Sequence, residues 1–411
     1  MQTVLFIGLV WPEPKSSAAG TRIVQLLELF SEAGHRLLFA SAAGKTMYSH
    51  PLHEMGIAEI EIKLNDSSFD DFIAELKPDM VVFDRFMIEE QYGWRVRQSA
   101  PQALTILDTE DLHFLRAARQ EATKRKHPVD LYNNTAKREI ASILRSDLSL
   151  IISKEEMIIL QEKFNIPKAL LFYLPFLEHV FAGLKDEGWP SFATRKDFMF
   201  IGNFLHEPNW HTVQILKKEV WPLLKNKVPE AEMHIYGAYA SEKVYQLHQP
   251  KERFFIKDRA ADARLTMQNY RALLAPIAFG AGAKGKLVDA MQSGTPSICS
   301  VIAAESMTSD NRWNGFVTDD ITDFVEKAML LYRDKEVWDS AQRVGAELLR
   351  ANYDRSNFTA VFLARVNEVR RLLSSHRQAN FIGEILHSQQ LNSSKYMSLW
   401  IETKNKLEQQ N

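Results

Sequence analysis

The stretch Phe279-Gly-Ala-Gly-Ala-Lys-Gly-Lys-Leu-Val-Asp-Ala-Met291, followed by Ser293-Gly-Thr-Pro296, holds the most concentrated chemistry in the chain. Gly280, Gly282 and Gly285 let backbone approach a ligand closely and adopt φ > 0. A helix predicted to begin near Lys284 turns free N–H groups and its dipole toward that bend, which favours an anion there. Lys284 and Lys286 add positive charge. The combination suits a phosphate or diphosphate. Asp289, about one and a half turns into the helix, is placed to accept hydrogen bonds from two ribose hydroxyls. The same glycines spell G-x-G-x-x-G, but a dinucleotide site wants that motif after the first strand of its domain, and here it falls deep inside one. A turn that only packs helix on strand, with its lysines in solvent, is the plainer alternative.

Such a loop needs rigid elements behind it. Thr3–Val10 is a near-continuous apolar run, the pattern of a strand covered on both faces. Thr21–Ala33 has helical periodicity, with Ile23, Leu26, Leu27 and Phe30 on one face and Gly34 as a stop. Strand and helix then alternate to the strand Ala169–Tyr173. The run Lys185-Asp-Glu-Gly-Trp-Pro190-Ser breaks the periodicity and reads as a linker. Alternation restarts with the strand Asp197–Ile201 and passes through the helices Asn209–Leu224 and Lys284–Ser293 to the strand Ser297–Val301. The expectation is α/β: two consecutive Rossmann-like doubly wound domains facing each other across a cleft. We place a first domain at 1–178, a linker at 179–196, a second domain at 197–354, a helix at 355–380 and a tail at 381–411. In the tail, Leu386, Leu391, Met397, Leu399, Trp400 and Ile401 would let it pack as an extra helix.

Composition narrows the function classes. The 411 residues are 45% hydrophobic and 25% charged, an ordinary globular balance. Fifty Lys and Arg against 52 Asp and Glu leave a net charge of −2, so no global attraction to nucleic acid is expected. The single cysteine, Cys299, excludes an intrachain disulfide and a zinc ribbon, and no metal site is expected. The apolar start lacks a basic leader, and no run reaches the roughly 18 apolar residues of a spanning helix. The expected setting is cytoplasmic, with a peripheral place at a membrane as the alternative.

The segment Phe279–Pro296 resembles the nucleotide-sugar signature of retaining glycosyltransferases of the two-domain GT-B fold, the group 1 or family 4 type. Phe200-Ile-Gly202-Asn203-Phe204-Leu-His206-Glu-Pro208-Asn209 is similar to the strand-loop-helix that opens their second domain. Trp11-Pro-Glu-Pro with Ser16-Ser-Ala-Ala-Gly20-Thr-Arg22 is similar to their N-terminal loop, and Leu107-Asp108-Thr-Glu110-Asp111-Leu-His113 to a first-domain loop facing the donor. The resemblance spans roughly residues 1–375. It implies transfer of a sugar from a nucleotide diphosphate donor to a carbohydrate-type acceptor (a glycan, lipid-linked or protein acceptor), with retention, no required cofactor and no obligatory metal.

By that resemblance, Gly20, Gly202, Asn203, His206, Asn209, Gly280, Gly282, Ala283, Lys284 and Asp289 bind the donor. Lys284 stabilises the leaving group, while His113 and Glu305 are further catalytic candidates. Asp111 and Arg116 lie on the acceptor side. Two departures stand out: Ala281 replaces an acidic residue that contacts the donor sugar in many relatives, and the Arg/Lys pair after the first strand of their second domain is absent. Competing functions are a nucleotide-sugar epimerase of the same fold and a transferase-like protein that binds without turnover. A basic run from Arg116 to Arg138 reads either as weak contact with an anionic membrane or as a solvated helical face.

Overall fold

The computed structural model describes residues 1–180, 188–308 and 312–388, together with Tyr396 and Trp400. The first lobe holds β1 (Thr3–Gly8), β2 (Arg36–Ser41), β3 (Ala58–Glu61), β4 (Met80–Asp84), β5 (Leu104–Asp108), β6 (Leu148–Ile151) and β7 (Leu171–Tyr173). The second holds β8 (Lys196–Ile201), β9 (Met233–Tyr236), β10 (Phe254–Ile256), β11 (Tyr270–Ala275), β12 (Ser297–Cys299) and β13 (Gly315–Val317). The sheets run β3-β2-β1-β4-β5-β6-β7 and β10-β9-β8-β11-β12-β13. Every named pair is parallel, from β1–β2 to β12–β13.

The apolar runs explain both sheets. In β1, Val4 and Phe6 pack with Leu26 and Phe30 on one face, while Leu5 and Ile7 pack with Phe69, Ile73 and Tyr92 on the other. A parallel strand covered on both sides has no polar face to show, so its sequence does not alternate. The helix Ala18–Glu32 starts earlier than its apolar stripe because the Ser17 hydroxyl caps the Gly20 N–H at 3.0 Å.

Two crossings join the lobes side by side. The Glu178 N–H donates to Tyr353 O at 2.8 Å, and the Arg355 N–H donates to Glu178 O at 2.9 Å. After the second crossing the chain returns to the first lobe. The helix Thr359–Arg371 inserts Phe362, Val366 and Val369 into that lobe's core, and Arg377 holds Asp147 at 2.7 Å. Two short helices, Leu373–Ala379 and Phe381–Ser388, follow. The expected tail positions Leu391, Met397, Leu399 and Ile401, and linker residues 181–187, lie outside the described residues. Among the described residues no helix is long and apolar enough to cross a membrane.

Candidate functional site

A cleft of about 700 Å³ opens between the carboxyl ends of the two sheets, the edge at which doubly wound sheets bind ligands. Two helices point their N-termini into it from opposite lobes: Ala18–Glu32 after β1, and Gly285–Gln292 after β11. They meet so closely that a Cβ on Gly285 would lie 2.5 Å from the Ala18 Cβ. Only glycine permits that approach. First-turn N–H groups and dipoles of both helices therefore face one region, which can hold an anion.

The glycine loop reaches further than the sequence suggests. Gly282 has φ +64, and a Cβ there would come within 2.8 Å of the Asp111 Cβ in the first lobe. Its N–H donates to the Glu156 carboxylate at 2.7 Å. The Lys284 ammonium folds back onto Ala281 O at 3.1 Å and Gly282 O at 2.7 Å, bracing the bend. Lys286 instead reaches the Asn209 side-chain oxygen and sits 4.5 Å over the Phe200 ring. Burial and the neighbouring Lys284 push the Lys286 ammonium down to about 7. The cation near the loop after β8 thus comes from the glycine-loop helix. One turn on, Asp289 accepts from Arg264 Nε at 2.8 Å, while Arg264 also pairs with Glu178 at the crossing. Burial pushes the Asp289 carboxyl up against the opposing pull of Arg264.

The first-lobe wall is made of charged side chains at the ends of β4 and β5. Asp84 and Arg85 follow one another, and Glu110 and Asp111 leave the next strand; Arg85 and Glu110 adopt φ of 72° and 63°. Such backbone is costly outside glycine and gathers at functional sites. Burial pushes Glu110 up to about 8, with Arg85 opposing and Asp84 reinforcing the rise. At Asp111 burial is outweighed by Arg116 and His113, which hold the carboxylate down to about 2. The His113 Nδ1 lies 3.0 Å from Asp111 O and 3.3 Å from its carboxylate. No local residue caps the helix His113–Arg125. Remote carboxylates do so: Glu139 accepts from the His113 and Phe114 N–H groups, and Glu156 from that of Leu112.

Of the candidates from sequence, Gly20, Gly202, Asn203, His206, Asn209, Gly280, Ala283, Lys284, Asp289, His113, Asp111 and Arg116 all line the cleft. Gly282 and Glu305 do not. Gly282 is turned into the first lobe, and Glu305 is held in a two-pronged ion pair with Arg119, both contacts at 2.7 Å. The strand ahead of Glu305 ends at Cys299, because Ser300 caps the four-residue helix Val301–Ala304 and redirects the chain. Asp84, Arg85, Tyr239 and Arg259 line the cleft without having been singled out. Their only signal in the sequence is that each follows a buried strand or stands at its end.

The basic run is largely neutralised. Arg116 pairs with Asp111, Arg119 with Glu305, Lys124 with Glu207, Arg125 with Glu121 and Arg138 with Glu90. Among the described residues one group has metal-ligand spacing: Asp197, Glu232 and His234. It lies at the amino ends of β8 and β9, away from the cleft.

Residues 195–334 match the family model described as "Glycosyl transferases group 1". No curated protein sequence matches the chain. Solved structures similar to it include a TarM variant of S. aureus in complex with fondaparinux, alpha-GlcNAc-glycerol and UDP, at a TM-score of 0.67 and 10% identity over 89% of this chain and 100% of that one. Sucrose-phosphate synthase of Thermosynechococcus elongatus gives 0.65 and 14% over 91% and 100%. The pneumococcal O-GlcNAc transferase GtfA with UDP and GlcNAc gives 0.64 and 12% over 90% and 99%. At these identities the likeness is one of fold: the two-domain GT-B arrangement.

Proposed function

We propose that the chain is a glycosyltransferase that moves a sugar from a nucleoside diphosphate to a hydroxyl-bearing, carbohydrate-type acceptor, with retained anomeric configuration and no obligatory metal. One observation carries the reading: two helix N-termini from opposite lobes close on each other at Ala18 and Gly285, beside Lys286, inside a cleft between two doubly wound sheets. The family match over the second lobe and the UDP bound to TarM and GtfA support it.

The chemistry follows from charge. As the glycosidic bond to the donor breaks, negative charge builds on the diphosphate. Preorganised N–H groups and an ammonium in a dry cleft stabilise that charge without reorganising. The two helix N-termini and Lys286 take this role, while Lys284 keeps the bend in shape. Asp289, steadied by Arg264, takes the ribose hydroxyls. His113 lies at the sugar end of the first-lobe wall, with Asp111 and Arg116 on the acceptor side. Gly20, Gly202 and Asn203 form the floor and rim around the donor, with His206 and Asn209 beside Lys286. Closure of the lobes keeps water from the activated sugar.

A thermal-shift screen of UDP-, GDP-, ADP- and dTDP-linked sugars tests the reading, because a tight ligand raises apparent stability by mass action. One donor class is expected to raise Tm and then to transfer its sugar to a glycan acceptor in the presence of a chelator, giving a product of retained configuration by NMR. Interconversion of the donor without acceptor would support the epimerase, and binding without turnover the non-catalytic alternative. No response to any donor would overturn the proposal.

A further inference from the structure

The glycine loop does not hold its shape alone; the opposite lobe grips it at two points. Arg119, on the helix His113–Arg125, donates to Gly280 O at 2.9 Å while it binds Glu305. Two residues on, Glu156 accepts the Gly282 N–H at 2.7 Å and, with the same oxygen, the Leu112 N–H at 2.9 Å. Glu156 is wholly buried, and its second oxygen has no partner. In sequence Ser153-Lys-Glu-Glu156 looks like a capping box, a local device at a helix start. Only half of it forms: Ser153 accepts from the Glu156 N–H at 3.3 Å, but the carboxylate turns away to the other lobe. Burial, reinforced by Asp111, pushes the Glu156 carboxyl up to about 8, against the pull of the Leu112 and Gly282 N–H groups and of Lys284.

We propose that Arg119 and Glu156 are positioning residues that form a latch between the lobes, through which the acceptor-side lobe sets the shape of the donor loop. The inference rests on the glycosyl-transfer reading. When the lobes part, Gly280 O and the Gly282 N–H lose their partners together, and a segment with three glycines is left without a fixed course. When they shut, one carboxylate oxygen orders Gly282 and the start of the helix that carries His113. The donor loop and the first-lobe wall thus reach their working geometry in the same step, and an open enzyme hydrolyses little donor.

Hydrogen exchange over residues 279–287 in the full chain tests the latch without any ligand. In Arg119→Ala, exchange at the Gly282 amide is expected to rise about tenfold, although Arg119 does not touch that amide. Glu156→Ala should do the same, and Glu156→Gln, which keeps an accepting oxygen, should recover most of the protection. With UDP-, GDP-, ADP- and dTDP-glucose as donors, Arg119→Ala and Glu156→Ala should lower kcat about tenfold with donor KM changed by less than about threefold. Unchanged exchange at Gly282 in Arg119→Ala overturns the latch, as does equal loss in Glu156→Ala and Glu156→Gln. If Glu156→Ala does not fold, Arg119→Ala and Glu156→Gln still decide. Absence of turnover in the wild type with every donor would count against the transfer reading, and exchange would still judge the latch by itself.

Discussion

The two walls of the cleft are built by different means on the same scaffold. Both sheets wind outward from their first strands, β1 and β8, in the same order, and both turn their carboxyl ends to the cleft. The second-lobe wall is mostly backbone: one contiguous segment from Gly280 to Asp289 supplies a bend, a helix N-terminus, two lysines and a carboxylate. The first-lobe wall is mostly side chains, gathered from Asp84 and Arg85 at one strand end and from Glu110 through Arg116 at the next. A diphosphate is the same in every donor, so rigid N–H geometry suffices for it. A wall of crowded carboxylates and arginines is chemically selective, and each member can change without moving the backbone.

The sharpest way to break that contrast is to spoil the backbone wall. Gly285→Leu forces a side chain into the space of the Ala18 Cβ, 2.5 Å from where its first carbon must stand. Overpacking of this kind costs about 1–3 kcal/mol, so titration with UDP is expected to show roughly a ten- to hundredfold loss of affinity. Unchanged affinity would mean that the meeting of the helices does not matter. Lys286→Ala comes next, with about a tenfold loss. Its ammonium has been pushed down from 10.5 to about 7, and an anion binds the protonated form. Wild-type affinity for UDP should therefore fall as pH rises through 7, and Lys286→Arg should abolish that fall.

The side-chain wall should respond in stability rather than in nucleotide binding. Burial has raised Glu110 from 4.5 to about 8. A carboxyl raised on folding contributes fully below its unfolded pKa, and the contribution is lost as pH climbs through the folded value. The Glu110 contribution, with that of Glu156 beside it, should thus fall away between about pH 4.5 and 8. Relative to wild type, Glu110→Gln should gain roughly 2–4 °C in Tm on going from pH 4 to pH 9 and leave UDP affinity unaltered; a Tm difference between the two that does not change with pH would show that folding does not raise Glu110. The smallest effect is a control. Asp320 caps the helix Ile321–Arg333 far from the cleft, and Asp320→Ala should cost about 1 kcal/mol of stability with no change in UDP binding.

What could be read from the sequence follows the same division. The buried strands were legible because parallel sheets leave unbroken apolar runs, as in Val4–Ile7. The glycine loop was legible because its parts are contiguous. The helix His113–Arg125 was not delimited, since its caps are Glu139 and Glu156, which no local pattern reveals. The expected helix Asn209–Leu224 is broken by a π-helical turn at Leu216–Val220 just ahead of Pro222, which lacks the N–H a regular helix would use. Glu305 is a catalytic candidate beyond a strand expected to run to Val301; β12 ends two residues earlier, and the chain turns Glu305 toward Arg119. Gly282 is a donor-binding residue by the family resemblance, and a motif shows that its N–H is free to turn, not which lobe takes it.

The central claim is that a nucleoside diphosphate sits where the helices Ala18–Glu32 and Gly285–Gln292 meet. Calorimetric titration of the wild type and of Lys286→Ala with UDP, GDP, ADP and dTDP tests it most directly. One of the four should bind the wild type and lose about tenfold in the variant. Binding that is indifferent to Lys286, or no binding of any of the four, would contradict it.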